Sequence, residues 1–278
     1  MEPEKIDELK KKAVELRKVI LTMIHEASSG HPGGALSMAD IVTALYFSEM
    51  KVDPRNPKWP DRDRFILSKG HACPVQYGAL AMKGYFAMDV IHTLRREGSI
   101  LQGHPDMKKC PGIDISTGSL GQGLSCGVGM ALAAKRDGKD YRVFVAVGDG
   151  ETQEGQIWEA AQTATKYGLD NLVVFVDDNG LQCDGTCDCI MPTLDLGQKF
   201  AAFGFEVYRI DGHDMKRIVE TLEKIRRASS NGRPKCVIAM TRKGKGVSYM
   251  EDVAEWHGMA PDAEQYATAM AEVERGIN

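Results

Sequence analysis

The hydrophobic positions of this chain follow two rhythms that alternate along its length. From residue 6 to 27, Ile6, Leu9, Ala13, Leu16 and Ile20 recur near helical spacing with charges between them, which predicts an amphipathic first helix. Short apolar runs then appear at Phe65–Leu67, Val143–Val147, Leu172–Val176, Phe205–Ile210 and Cys236–Met240. They have the length of strands, and their lack of polar alternation suits strands buried on both faces of a parallel sheet. Helical stretches separate them. One is capped by Ser37, with Asp40 in the box position, and runs to about Met50. An alanine-rich helix reaches about Tyr85, another spans Asp89 to Glu97, and a third opens at Thr117–Gly123 and carries Gly127 and Gly129. Glycines at that density cost a helix about 1 kcal/mol each, so close packing against another backbone is expected there. A fourth helix, with Glu151 and Glu154 in its first turn, presents Ile157, Ala160, Ala161 and Ala164 on one face and ends at Gly168. A fifth runs from Asp214 to about Ala228, and a short helix closes the chain. The alternation predicts one α/β domain over residues 1–278, a doubly wound, mostly parallel sheet with helices on both faces. Residues 143–176 form a β-α-β unit with a right-handed crossover, so Asp149 and Asn179 follow the carboxyl ends of two parallel strands. Open α/β sheets bind ligands at that edge.

Composition narrows the partners. At 278 residues and 43% hydrophobic content the chain can bury a large core. A net charge of −4 with a pI near 6.0 leaves no electrostatic footprint for nucleic acid. No apolar run is long enough to cross a membrane, and the start MEPEKIDELKKK is a charged helical opening rather than a signal peptide. Seven scattered cysteines predict reduced thiols in a cytoplasm. Cys183, Cys187 and Cys189 match no usual zinc spacing.

Candidate chemistry concentrates in glycine-rich loops. Asp149 offers a carboxylate, Asn179 an amide oxygen, and the irregular chain beyond it can turn in a carbonyl, that of Leu181. Three hard oxygens on one side would leave positions on Mg²⁺ or Ca²⁺ for phosphate and water. Gly150, without a side chain at the start of a helix, lets its N–H approach a phosphate closely. A lone Gly-Asp-Gly is compatible with a plain β-turn; an Asn opening the next loop after one helix and one strand makes the pair specific. Four of the seven histidines, His31, His71, His104 and His257, lie in glycine-adjacent loops. Together at one edge they would bind sugar hydroxyls and move protons near neutral pH. His25 and His92 lie within helices and His213 in a strand-to-helix turn, where ordering the chain suffices as a role. The helix dipole alone accounts for Glu151 and Glu154, although Glu154 could face a neighbouring subunit.

Six motifs in register resemble transketolase: Ser29-Gly30-His31-Pro32-Gly33, Asp63 to Ala72 (DRFILSKGHA), Gly103-His104-Pro105, Thr117 to Gly123 (TGSLGQG), Gly148-Asp149-Gly150 with Asp178-Asn179, and His257 to Pro261 (HGMAP). The resemblance spans nearly the whole chain but covers only the amino-terminal, diphosphate-binding part of that enzyme. It implies thiamine diphosphate and a divalent metal as cofactors. Asp149, Asn179 and the carbonyl of Leu181 would bind the metal. Gly150, His71 and His257 would meet the diphosphate end, and Leu120 with Gly118 would line the thiazolium and aminopyrimidine. His31, His104 and His257 would hold the donor ketose and assist proton transfer, and Glu154 would sit at a dimer interface.

Departures from the family bear on specificity. Lys69 stands where many relatives have asparagine, and Cys183 where an aliphatic residue often packs on the thiazolium. Lys243 replaces an apolar position in a Lys-Gly-Lys-Gly loop resembling that of the related deoxyxylulose-phosphate synthases, and is expected to point its ammonium at the diphosphate. The family's pyrimidine-binding domain, with its activating glutamate and its grip on sugar phosphate, has no counterpart in this sequence. The chain is therefore expected to act as one component of a split enzyme, transferring a two-carbon ketol unit between sugar phosphates. The partner would be a carboxy-terminal, pyrimidine-domain subunit, with two of each chain and an apolar open surface around the helix bearing Glu154 and the Gly118–Gly129 helix. The alternatives are the α-subunit of a 2-oxo acid dehydrogenase, a transketolase-like enzyme for an unusual ketose, and a non-catalytic phosphate-binding module. The histidines argue against the first, and the absence of a GxGxxG fingerprint against the last.

Overall fold

The computed structural model describes residues 3–228 and 231–276; Met1, Glu2 and Asn278, named above in the charged start and the chain's extent, lie outside them. Five strands, β1 (Arg64–Leu67), β2 (Val143–Gly148), β3 (Leu172–Asp178), β4 (Glu206–Asp211) and β5 (Lys235–Met240), form one sheet in the order β1-β2-β3-β5-β4. All four pairings are parallel. The helices are α1 (Pro3–Ala27), α2 (Pro32–Ser37), α3 (Ala39–Ala44), α4 (Cys73–Lys83), α5 (Gln122–Arg136), α6 (Gly155–Lys166), α7 (Cys187–Ile190), α8 (Leu196–Ala202), α9 (Met215–Arg227) and α10 (Ala263–Arg275).

Strand periodicity divides the core in two. Val143, Val145, Val147, Leu172, Val174 and Val176 pack on the side holding α5, α6 and α8. Phe144, Ala146, Val173 and Phe175 face the opposite side, with α1, α3, α4 and α9. The central strands are thus apolar at consecutive positions because both faces are covered. On α1, Leu16, Ile20 and Leu21 are fully buried, and each such side chain stabilises the fold by about 1.5–3 kcal/mol.

Several elements differ from the expected ones. Ser37 does not cap a helix. It ends α2, and its hydroxyl donates to Gly34 O (3.1 Å) and to the Asp177 carboxylate (2.6 Å). Asp40 is not a capping-box partner either; it is buried between Arg17 and His213. The segment to Met50 is broken, with α3 widening into a π-helical turn at Leu45–Glu49. Residues 89–97 form only a 3₁₀ turn, Met88–Thr93. Glu151 lies in a separate 3₁₀ turn (Gly150–Gln153), and Glu154 is the residue before α6, so neither occupies that helix's first turn. On α5, Gly127 packs closely, since a Cβ there would meet Val145 Cγ2 at 2.5 Å, whereas Gly129 faces open space. The outer face of α5 and α6 carries exposed Gln122, Gly129, Ala133, Glu159 and Gln162 with half-buried Cys126, Met130, Leu132 and Trp158, so it is mixed rather than uniformly apolar.

Candidate functional site

The loops that follow β1, β2, β3 and β5 meet at one edge of the sheet. After β2 the chain tightens at once into the 3₁₀ turn that follows Asp149. The Asp149 carboxylate is buried and accepts from the backbone N–H groups of Gly150 and Gly180, both at 2.6 Å. Burial, and after it the nearby Asp177 carboxylate, push its pKa up to about 6. Asn179 opens the loop after β3. Its Oδ1 accepts from Leu181 N (3.1 Å), and its Nδ2 donates to Asp177 (3.0 Å). The Leu181 carbonyl accepts from Lys243 Nζ at 3.0 Å. These three oxygens thus belong to one loop cluster, with N–H groups satisfying each. A buried carboxylate beside a second one is relieved by a cation, and one carboxylate, one amide and one carbonyl are hard oxygen donors, so the set fits Mg²⁺ or Ca²⁺. Among the described residues no group of three His, Cys, Asp or Glu could hold a metal, so such a site must draw on amide and backbone oxygens.

Beside this cluster lies a cavity of about 300 Å³. His71, Leu120, Asp149, Gly150, Glu154, Asn179, Leu181, Cys183, Lys243 and His257 all line it. Its polar wall contains a buried amide nitrogen without a partner, Gln182 Nε2, set against Gly150. Gly118 lies outside the lining and packs on His104 instead, where a Cβ would come within 3.0 Å of Cδ2. Lys243 is buried and donates to the carbonyls of Leu181 and Gln182 (3.0 and 3.1 Å) and to His257 Nδ1 (2.9 Å). Burial and the neighbouring Lys69 lower its pKa to about 8.

The four loop histidines come together. Ring centroids are 5.2 Å apart for His31 and His71, 5.5 Å for His31 and His257, 5.0 Å for His71 and His257, and 6.5 Å for His31 and His104. His31, His71 and His257 do not titrate near neutrality, contrary to the sequence-based expectation. Burial, then the positive charge of Arg95, lowers His31 to about 4; burial and Lys243 do the same to His257; burial and Lys69 take His71 to about 2. His104 is lowered by burial and Arg95. His257 accepts at Nδ1 from an ammonium, so its proton resides on Nε2. The other three histidines lie apart from this group. His25 donates from Nδ1 to Pro261 O and stacks on Tyr266, His92 pairs with Glu26, and His213 bridges Asp40 and Arg242 N.

Sequence reasoning missed two supports. Glu151, read as a first-turn carboxylate favoured by the helix dipole alone, is buried; it accepts from Ser68 Oγ, from Gly121 N (2.9 Å) and from Gly148 N (3.0 Å), and so braces the turn that carries Asp149. Asp177 collects Lys69, Ser37, Thr241 and Asn179, which holds its carboxyl below the usual range despite full burial. The signal for this hub was the lysine at position 69, whose buried charge needs a carboxylate.

The family model for the transketolase thiamine diphosphate binding domain matches residues 9–274. The chain belongs to the transketolase family. It is 46% identical to the 6-deoxy-6-sulfo-D-fructose transketolase subunit of Clostridium sp. (strain MSTE9) over 99% of each chain. It is also 46% identical to an apulose-4-phosphate transketolase subunit of Phocaeicola vulgatus, covering 94% of this chain and 92% of that one. Among solved structures, the transketolases of Leishmania mexicana and Campylobacter jejuni each superpose with a TM-score of 0.90 at 32% identity. This chain spans 41% and 43% of their lengths. Its transketolase fold is therefore that of the thiamine diphosphate-binding domain, and the cavity lies where the strands end.

Proposed function

We propose that this chain is the amino-terminal subunit of a split transketolase that transfers a two-carbon ketol unit from an anionic ketose to an aldose phosphate. Its single domain would run through residues 1–278, working in a cytoplasm with thiamine diphosphate, Mg²⁺ or Ca²⁺, and a pyrimidine-domain partner, two of each chain. The net charge of −4 leaves no electrostatic footprint for nucleic acid, and no helix among the described residues is long and apolar enough to cross a membrane. The observation that carries the reading is the group of four neutral histidines beside the Asp149–Asn179 cavity. A 2-oxo acid offers acceptor oxygens at one end only and no hydroxyl donor, whereas a polyhydroxy ketose spreads groups that both donate and accept along its length.

Asp149, Asn179 and the carbonyl of Leu181 would hold the metal. Gly150, His71, His257 and Lys243 would meet the diphosphate, and Leu120, with Gly118 behind His104, would bound the ring end. Bound thiamine diphosphate supplies the nucleophilic carbon and the electron sink for C2–C3 cleavage. His31, His104 and His257 then place the donor: His31 and His257, whose Nδ1 lone pairs accept from Arg95 and Lys243, present Nε2–H as donors, while neutral His104 offers one N–H and one lone pair. Glu154, exposed at the cavity's rim, would meet the partner. His31→Ala and His104→Ala, assayed in the assembled enzyme, should lower kcat/KM for the ketose by at least tenfold with thiamine diphosphate affinity within about twofold. Equal losses of both would move these residues from sugar to cofactor.

A further inference from the structure

His213, in the turn after β4, lies apart from the four clustered histidines yet reaches the loop that carries Lys243. Its own turn is already ordered by the bond from His213 N to Asp211 Oδ1 (2.8 Å), which does not involve the ring. The ring accepts at Nε2 from the N–H of Arg242 (2.8 Å), so its proton resides on Nδ1 and is donated to the Asp40 carboxylate (2.8 Å). Arg17 holds Asp40 in turn, donating two bonds to its oxygens at 3.1 and 2.5 Å. Burial alone would raise the Asp40 carboxyl, but Arg17 and His213 outweigh it and lower its pKa to about 2. Arg17 also donates from Nε to the carbonyl of Lys245 at 3.2 Å.

These side chains therefore grip the loop at Arg242 and at Lys245, on either side of Lys243. The loop sends a lysine to each of two cavities. Lys243 lines the Asp149–Asn179 cavity, while Lys245, with Arg17, Asp40 and His213, lines a separate one of about 290 Å³. Main-chain bonds fix the loop at Thr241, to Asp178 O, and at Gly244, to Gly33 O, both at 3.0 Å; between them His213 supplies the partner for the Arg242 N–H. Lys243 has little room to adjust, since its stem lies on Gly33, where a Cβ would come within 2.9 Å of Cγ. An ion pair that only tied α1 to α3 would be complete with Arg17 and Asp40. The imidazole extends it to the peptide just before Lys243. We propose that Arg17, Asp40 and His213 are positioning residues for Lys243: the ion pair fixes the imidazole, and the imidazole fixes the peptide that aims the ammonium at the cofactor's diphosphate. This rests on the reading above of Lys243 as a diphosphate contact.

Removing Arg17 or Asp40 would strand a buried charge and destabilise the fold, so the test uses His213. The Kd of thiamine diphosphate is measured by calorimetry, with Mg²⁺, on the assembled enzyme carrying His213→Ala, His213→Gln, Lys243→Met, or His213→Ala and Lys243→Met together. Lys243→Met should raise Kd about tenfold or more, by loss of a charge-assisted bond. His213→Ala should raise it about fivefold. His213→Gln keeps an oxygen that can accept from the Arg242 N–H, and should return Kd to within about twofold of wild type. In the double variant the alanine should add less than about twofold to the effect of Lys243→Met, because it acts through that lysine. An unchanged Kd in His213→Ala would overturn the inference. So would a fivefold effect of the alanine in both backgrounds, which would make His213 a support of the fold at large. An unchanged Kd in Lys243→Met would instead sink the diphosphate role of Lys243, and this inference with it.

Discussion

At the scale of single residues, the site is built from groups held away from their ordinary ionisation. His31 and His257 are buried beside Arg95, Lys243 and one another, and protonate only near pH 4, against an ordinary value of 6.5. Unfolded imidazoles take up protons near 6.5, so between pH 6.5 and 4 the unfolded chain binds more protons and stability falls on acidification. Asp149 acts in the opposite sense between 3.8 and about 6, where the folded carboxyl holds a proton that the unfolded one has released. Asp114, Glu151 and Asp178, raised by burial, act in the same sense as Asp149 and reduce the downward slope that His31, His71, His104 and His257 impose. The melting temperature of the cofactor-free chain should therefore drop from pH 6.5 to 4.5, and the double variant His31→Gln, His257→Asn should flatten that drop. Parallel curves for the two proteins would contradict the burial account. Of this site, the four histidines, Asp149 and Asn179 were legible in the sequence because glycine and proline around a polar residue mark a loop at a strand end. Their charge state was not legible, since it depends on Arg95, Lys69 and Lys243 arriving from distant segments.

At the scale of elements, strands read more clearly than helices. A run such as Val143–Val147 is apolar at every position, and only burial on both faces tolerates that, so all five strands fall within a residue or two of the predicted runs. Helix starts failed where a polar residue had a tertiary partner. Ser37 looked like a cap but serves Asp177, 140 residues away, and Asp40 serves Arg17 and His213. Residues 89–97 have the composition of a helix but only the 3₁₀ turn Met88–Thr93 forms there, followed by the left-handed Arg95. The glycines of α5 separate by environment: Gly127 is required by Val145, and Gly129 by nothing within the chain. Gly129→Ala should thus raise the melting temperature of the isolated chain by about 2–3 °C, from roughly 1 kcal/mol of helix propensity. If a partner covers this face, the same substitution should weaken assembly, measured by analytical ultracentrifugation. Unchanged assembly would place the partner elsewhere.

At the scale of the whole molecule, the sheet edge gathers what the diphosphate end of the cofactor needs. The described residues place oxygen donors, Lys243, His71 and His257 around one cavity, with His31 and His104 packed beside those histidines. On the proposed reading the aminopyrimidine end would take its activating carboxylate from a partner, and relatives of matching length are themselves named as subunits. The central claim is that catalysis arises only between unlike chains. It is tested by measuring ketol transfer to an aldose phosphate, with thiamine diphosphate and Mg²⁺, for the purified chain alone and then titrated with a pyrimidine-domain transketolase subunit from the same organism. The account predicts no transfer by the chain alone and activity that rises with the partner to saturation at one partner per chain. Full turnover by the isolated chain, shown free of contaminating enzyme, would contradict it.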